Sequence, residues 1–159
     1  MIFCRIAGVF LLVGSGIFGA RFMNRSAAER LWQVEAWLSL LRYTRMQVDC
    51  FALPMSEILR RADADVLRAC GYEEKLCPES FEALWSGCVI RDGECAEWMR
   101  CFSLEFGKGY REEQRRGCEY YEALLEQKRE ALSADLPMRK KVHSALWVSG
   151  ALAAVILFI

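Results

Sequence analysis

The residues with the widest chemical reach in this chain are its eight cysteines, Cys4, Cys50, Cys70, Cys77, Cys88, Cys95, Cys101 and Cys118. A structural zinc site wants ligands about two to four residues apart or a supporting histidine. No Cys-x-x-Cys pair occurs, and the only histidine, His143, lies far from the cysteine-rich middle. An even cysteine count would read as a disulfide framework in a secreted protein, whereas a reducing compartment keeps thiols free. The seven-residue steps from Cys70 to Cys77 and from Cys88 to Cys95 are compatible with buried small apolar positions. The expectation is core thiols, with no metal and no cofactor.

Other constellations fall short of catalysis. Gly107-Lys108 has Phe102 where a nucleotide-binding loop needs its first glycine, and Gly109 where it needs a hydroxyl, so phosphate and magnesium would go unheld. One histidine cannot build a Ser-His-Asp or Cys-His site in the middle of the chain. Asp63 and Asp65, two apart on a helix, would point in different directions. The carboxylates toward the C-terminus read as a solvated face. No catalytic residue set is expected, and the chain reads as a non-enzyme.

The elements that would position these residues begin with two apolar ends. Between Ile2 and Ala20 the only charge is Arg5, and Val142 to Ile159 contains no Asp, Glu, Lys or Arg. As helices they would reach roughly 28 and 27 Å, close to a hydrocarbon core of about 30 Å. Arg21, Arg25 and Arg30 follow the first, and Arg139, Lys140 and Lys141 precede the second. The positive-inside rule then puts both inner flanks in the cytoplasm and the termini across the membrane. The expected domains are a transmembrane helix at 2–20, a cytosolic helical domain at 21–137 and a second transmembrane helix at 142–159.

A cleaved signal peptide is the competing reading of the first end, but bulky Phe18 sits where a small residue is wanted and the basic charge follows the apolar stretch. Small residues recur along each span: Gly8, Ser15, Gly16 and Gly19 in the first, Ala145, Ser149 and Ala153 in the second. Such faces let helices approach closely in lipid.

Everything between has helical period. A first soluble helix is expected from about Ala27 to Met46, with Leu31, Val34, Leu38 and Leu41 as its stripe, Trp37 and Tyr43 widening it, and a capping box of Ser26 and Glu29. Pro54 suits the first turn of a second helix carrying Ile58, Leu59, Ala62, Val66 and Leu67, ended by Gly71. A third begins at Pro78 and uses Phe81, Leu84, Trp85 and Cys88. A fourth uses Ala96, Met99, Phe102 and Leu104 until Gly107. The last runs from about Tyr110 to Ala134, with Gln114, Gly117, Cys118, Tyr121, Leu124, Leu125 and Leu132 on its less polar stripe. Glu112 with Arg116 and Glu126 with Arg129 are its surface pairs. A kink or break is expected at Pro137. The fold class is all-α: a cytosolic bundle of five to six helices between two membrane helices. With 21 basic and 21 acidic residues, nothing favours nucleic acid.

The layout also resembles a known family. Phe51-Ala52-Leu53-Pro54-Met55-Ser56-Glu57-Ile58-Leu59 resembles the "PLPEAL" region of the stage III sporulation protein AB family, with Leu53 and Pro54 as matching positions. Phe106 to Gln114 resembles that family's Leu-Gly-x-Ser-Asp-x-x-x-Gln stretch, in which Gly107 and Gln114 match. Gly109 and Tyr110 replace the usual Ser-Asp and remove the better N-cap of the last helix, at a cost of about 1 kcal/mol. The middle from Cys70 to Cys101 matches no motif of the family.

The resemblance implies a membrane component of the mother cell to forespore channel, or secretion-like complex, required for endospore formation. The family is similar to the F protein of type II secretion. Its cytosolic domain is implied to engage a cytosolic ATPase, stage III sporulation protein AA, and other membrane proteins of the channel, in the mother-cell (outer forespore) membrane; homo-oligomer formation is left open. Exposure on the last helix makes Arg111, Arg115, Arg116 and Glu119 the candidate partner contacts. Two readings compete: a membrane-anchored cysteine- or metal-dependent enzyme using Cys88, Cys95 and Cys101, and an exported disulfide-rich helical protein.

Overall fold

A computed structural model describes the backbone of residues 2–51 and 53–158, and the side chains of residues 25–50, 53–135 and 137–138. The apolar ends 2–20 and 142–159, with the small residues Gly8, Ser15, Gly16, Gly19, Ala145, Ser149 and Ala153, therefore lie outside the described side chains. Among the described residues no helix is long and apolar enough to cross a membrane. The chain divides into two compact units, residues 30–131 and residues 1–29 with 132–159.

The described residues form six helices and no strand: α1 (Ile2–Phe51), α2 (Met55–Arg61), α3 (Ala64–Ala69), α4 (Phe81–Ser86), α5 (Gly93–Glu105) and α6 (Arg111–Phe158). The fold is all-α. Four boundaries differ from those expected from sequence. The helix foreseen from Pro78 through Cys88 is only Phe81–Ser86, because the Ser80 hydroxyl accepts from the Ala83 amide at 3.1 Å and caps it there, and Gly87 ends it before Cys88. Ser26 and Glu29 form no capping box, because α1 is already under way from Ile2 and its amides bond within the helix; Glu29 instead accepts from Arg25 Nε at 2.9 Å. The helix foreseen from Pro54 to Gly71 is two helices. Ala62 and Asp63 are extended, and the Asp63 carboxylate accepts from the Asp65 amide at 2.9 Å, so it caps α3 rather than sitting inside a helix. At the other end, α6 runs through Pro137 without a break. A proline removes one amide donor, and good helix formers on both sides carry the helix past it.

Within the unit of residues 30–131, α1 is buried over more than the foreseen stripe. Gln33, Val34, Ala36, Trp37, Leu38, Leu40, Leu41, Thr44, Gln47 and Val48 are all buried, an arc of about 200° at about 100° per residue. Such an arc places α1 inside the bundle rather than along its flank. Leu59, Leu84, Phe102 and Leu125 are likewise fully buried, each contributing about 1.5–3 kcal/mol by leaving water. Phe81, Phe102 and Phe106 pack as an aromatic cluster with ring centroids 4.7 to 5.2 Å apart, and Tyr121 of α6 closes on Phe102 at 5.4 Å.

The connections are tied by polar groups buried against α1. Gly71, at φ +100°, closes α3: its amide donates to Arg68 O at 2.9 Å and the Tyr72 amide to Leu67 O at 3.1 Å, the paired bonds of a Schellman ending. Val89 N then donates to Gly71 O at 2.9 Å, beside the isolated antiparallel bridge of Tyr72 and Cys88. Gln33 holds this junction to α1. Its Nε2 donates to Cys70 O at 3.0 Å and to Val89 O at 2.7 Å, and its Oε1 accepts from the Arg91 amide at 2.9 Å. Trp37 Nε1 adds a second donor to Cys70 O at 3.1 Å.

Candidate partner-docking face

The two segments that resemble family motifs come together in space. Pro54 caps α2 through its carbonyl, which accepts from the Glu57 and Ile58 amides at 3.0 and 3.1 Å, one position earlier than the first-turn placement foreseen. Met55, next in line, reaches Gly107: a Cβ on Gly107 would sit 3.3 Å from Met55 Cε. Gly107 has φ +91°, a conformation that costs a non-glycine residue about 1–2 kcal/mol. Leu53 is half-buried beside Pro54.

Gln114 completes the second motif from inside α6. Its amide donates to Tyr110 O at 3.0 Å and its Nε2 to Gly109 O at 2.8 Å, so one side chain fixes the turn that feeds the helix. The missing Ser-Asp cap is offset by Glu113, whose Oε2 accepts from the Tyr110 amide at 3.0 Å. This is the returning half of a capping box, a glutamate at the third helical position bonding the cap residue's amide.

Of the four candidate contacts on α6, three are engaged in ion pairs. Arg115 lies 2.6 Å from both Glu112 and Glu119, Arg116 lies 3.4 Å from Glu112, and Arg45 of α1 reaches Glu119 at 3.7 Å. The Arg115 guanidinium, helped by Arg116, holds the Glu112 carboxyl below its usual range. Arg111 is exposed at the first turn. The ridge therefore carries fixed pairs along α6 and between α6 and α1, with Arg42 to Glu126 at 2.8 Å as a further tie.

One carboxylate on this helix does not face solvent as foreseen. Glu122 is 7% exposed; its Oε1 lies 3.3 Å from Arg45 Nε yet makes no hydrogen bond. Burial pushes its pKa up, opposed by Arg45 and Arg42. On the opposite tie, Lys128 lies 3.2 Å from Asp92, whose other oxygen caps α5 by accepting from the Cys95 amide at 3.1 Å.

Five of the seven described thiols are wholly or partly buried, and Cys4 lies outside the described side chains. Cys70, Cys95 and Cys118 are buried, Cys88 and Cys101 half-buried, and Cys50 and Cys77 exposed, all of them free. Of the two seven-residue pairs, Cys70 and Cys95 are buried as expected, Cys88 only half-buried and Cys77 exposed. Burial pushes Cys70 well up and takes Cys88, Cys95 and Cys118 to about 12. A thiol so shifted carries little thiolate, the form that attacks or ligates. Among the described residues no group of three or more His, Cys, Asp or Glu side chains could hold a metal.

The surface of this unit is recessed at its α2–α3 side and at the start of α6. A cleft of about 690 Å³ is lined by residues of α2, α3 and the 72–77 loop; its Arg60 and Arg68 are paired locally with Glu57 and Asp65. A smaller cavity of about 190 Å³ lies where α5 ends and α6 begins, walled by Phe102, Phe106 and Tyr121 with Glu105, Glu113 and Gln114. Sequence reasoning singled out Gln114 there but not the cavity, nor Gln33 and Glu122. A polar residue inside an apolar arc was the available signal for those two.

Helices held by buried polar ties, protonated core thiols and a charged, aromatic surface describe a protein that presents faces. Residues 5–159 match the family described as Stage III sporulation protein AB, and the chain belongs to that family. The protein thus has a role in sporulation, in a family not known for enzymes. No curated protein and no solved structure matches the chain.

Proposed function

We propose that this protein is a non-enzymatic membrane platform of the mother cell to forespore channel, a secretion-like complex, coupling a cytosolic ATPase to the membrane components. The observation that carries this reading is the meeting of the two family-motif segments: Met55, beside Pro54, packs on Gly107, and Gln114 ties the turn after it. Those contacts build a face at the start of α6 rather than assembling reactive groups. In the same reading, residues 2–20 and 142–159 span the outer forespore membrane, the basic flanks hold 21–137 in the mother-cell cytoplasm, and stage III sporulation protein AA is the ATPase. The likeness to the type II secretion F protein is part of this proposal.

The test uses the full chain solubilised in detergent with an affinity tag. Co-purification of the ATPase from sporulating cells, lost with a Met55→Glu and Gly107→Asp double variant that still folds by circular dichroism, is the expected result. Normal sporulation after deletion of the gene, with no ATPase recovered, overturns the reading.

A further inference from the structure

The cavity between the end of α5 and the start of α6 has the chemistry of a socket for one cationic side chain. Its eight lining residues are Phe102, Glu105, Phe106, Gly109, Glu113, Gln114, Gly117 and Tyr121, among which two are carboxylates and none is cationic. At about 190 Å³ it is smaller than the range of roughly 300–1,000 Å³ in which drug-sized ligands bind. A single long side chain is the matching guest. Aromatic walls favour a flat, weakly hydrated cation, which gains from the negative faces of the rings.

The surrounding helices add to this preference. The last turn of α5, which holds Phe102 and Glu105 at the negative end of the helix, carries no basic residue, and Lys108, the first cation after it, reaches that end through its backbone amide, 3.4 Å from Glu105 O. The positive start of α6 is already answered by Glu112 and Glu113 in its first turn. Glu105 also raises the pKa of Tyr121, after burial, which places its charge beside the phenol. Gly117 leaves the approach open, for a Cβ there would meet nothing within 4 Å. Exposed Tyr110 and Tyr120, near in sequence to the lining residues, supply aromatic surface of the kind that surrounds binding anchors.

We propose that this cavity receives an arginine side chain from a partner protein, its guanidinium held by Glu105 and Glu113 and set against the accessible edges of Phe106 and Tyr121, with Phe102 buried behind them. The proposal rests on the adaptor reading only in that a partner supplies the arginine; which partner does so is left to the chemistry of the socket.

The test follows 3-fluorotyrosine-labelled full chain in detergent by fluorine NMR while the peptide acetyl-Ala-Leu-Arg-Leu-Ala-amide is added. Its counterparts with citrulline or glutamate in place of arginine serve as controls. The expected result is a saturable shift of the Tyr121 resonance with the arginine peptide, at least tenfold weaker with citrulline and absent with glutamate. Glu105→Gln should weaken the shift about tenfold, and Gly117→Leu, which fills the approach with a better helix former, should abolish it. Equal responses to all three peptides, or an unchanged response in Gly117→Leu, overturn the proposal. A Tyr121 shift that follows protein concentration without peptide also overturns it, since the occupant is then a second copy of this chain. Failure here leaves ATPase co-purification untouched, and failure of that co-purification leaves the peptide response intact.

Discussion

Gln33 Nε2 donates to the carbonyl of Val89 at 2.7 Å across 56 positions of sequence, while Oε1 of the same side chain accepts from the amide of Arg91. One buried amide thus satisfies backbone groups of a connection that has no sheet to pair with. The collision a Cβ on Gly71 would make with Gln33 Nε2, at 2.6 Å, shows how tightly the junction closes around it.

Replacing Gln33 with alanine removes one hydrogen bond each to Val89 O, Arg91 N and Cys70 O, the last of which keeps Trp37 Nε1. Val89 and Arg91 are exposed enough for water to reach their backbone groups, so the cost is that of the lost hydrogen bonds, about 0.5–1.5 kcal/mol each, and Gln33→Ala should lose about 1–3 kcal/mol, read as a lower urea midpoint at constant slope. An unchanged midpoint would show that water replaces the side chain.

Gly107 separates conformation from packing. Gly107→Ala should cost about 1–2 kcal/mol because of its positive φ, and Gly107→Asn less, since asparagine tolerates that region better. Adding Met55→Ala, which removes the atom 3.3 Å away, should not recover the loss. Recovery in the double variant would assign the cost to the contact instead.

Glu122 gives a pH dependence of definite sign. Its folded pKa is raised by burial above the unfolded value of about 4.5, so the stability it contributes is complete below that value and is lost as pH rises through the folded pKa. Glu122→Gln should therefore be more stable than the native chain at pH 7. The difference should vanish by pH 4, as thermal unfolding at the two pH values would report. A difference that grows on acidification would mean that the Arg45 pair dominates.

Thiol labelling reads the core directly. At neutral pH iodoacetamide should modify Cys50 and Cys77 within minutes, while Cys70, Cys95 and Cys118 are protected by about a hundredfold or more until the chain unfolds. Mass spectrometry of the peptides measures the rates. Fast modification of Cys95 would contradict its burial.

Helical character, the buried stripe of α1, the glycine ending of α3 and the exposed pairs Glu112–Arg116 and Glu126–Arg129 were all legible in the sequence, because each depends on residues within about one or two turns of one another. The split between α2 and α3 was not, since Asp63 serves equally as a helical residue or a cap until the flanking segments are packed. Nor was the site. Met55 meets Gly107, and Phe102, Gln114 and Tyr121 enclose one cavity, only after α2, α5 and α6 have docked. Arg115 and Glu119, exposed on a helical wheel, became part of a ridge because Arg45 lies opposite. By itself the sequence determined an all-α chain of this family. Tertiary structure alone decided which polar groups were buried, and hence which faces are left to bind, because burial is a property of what packs against a residue rather than of the residue.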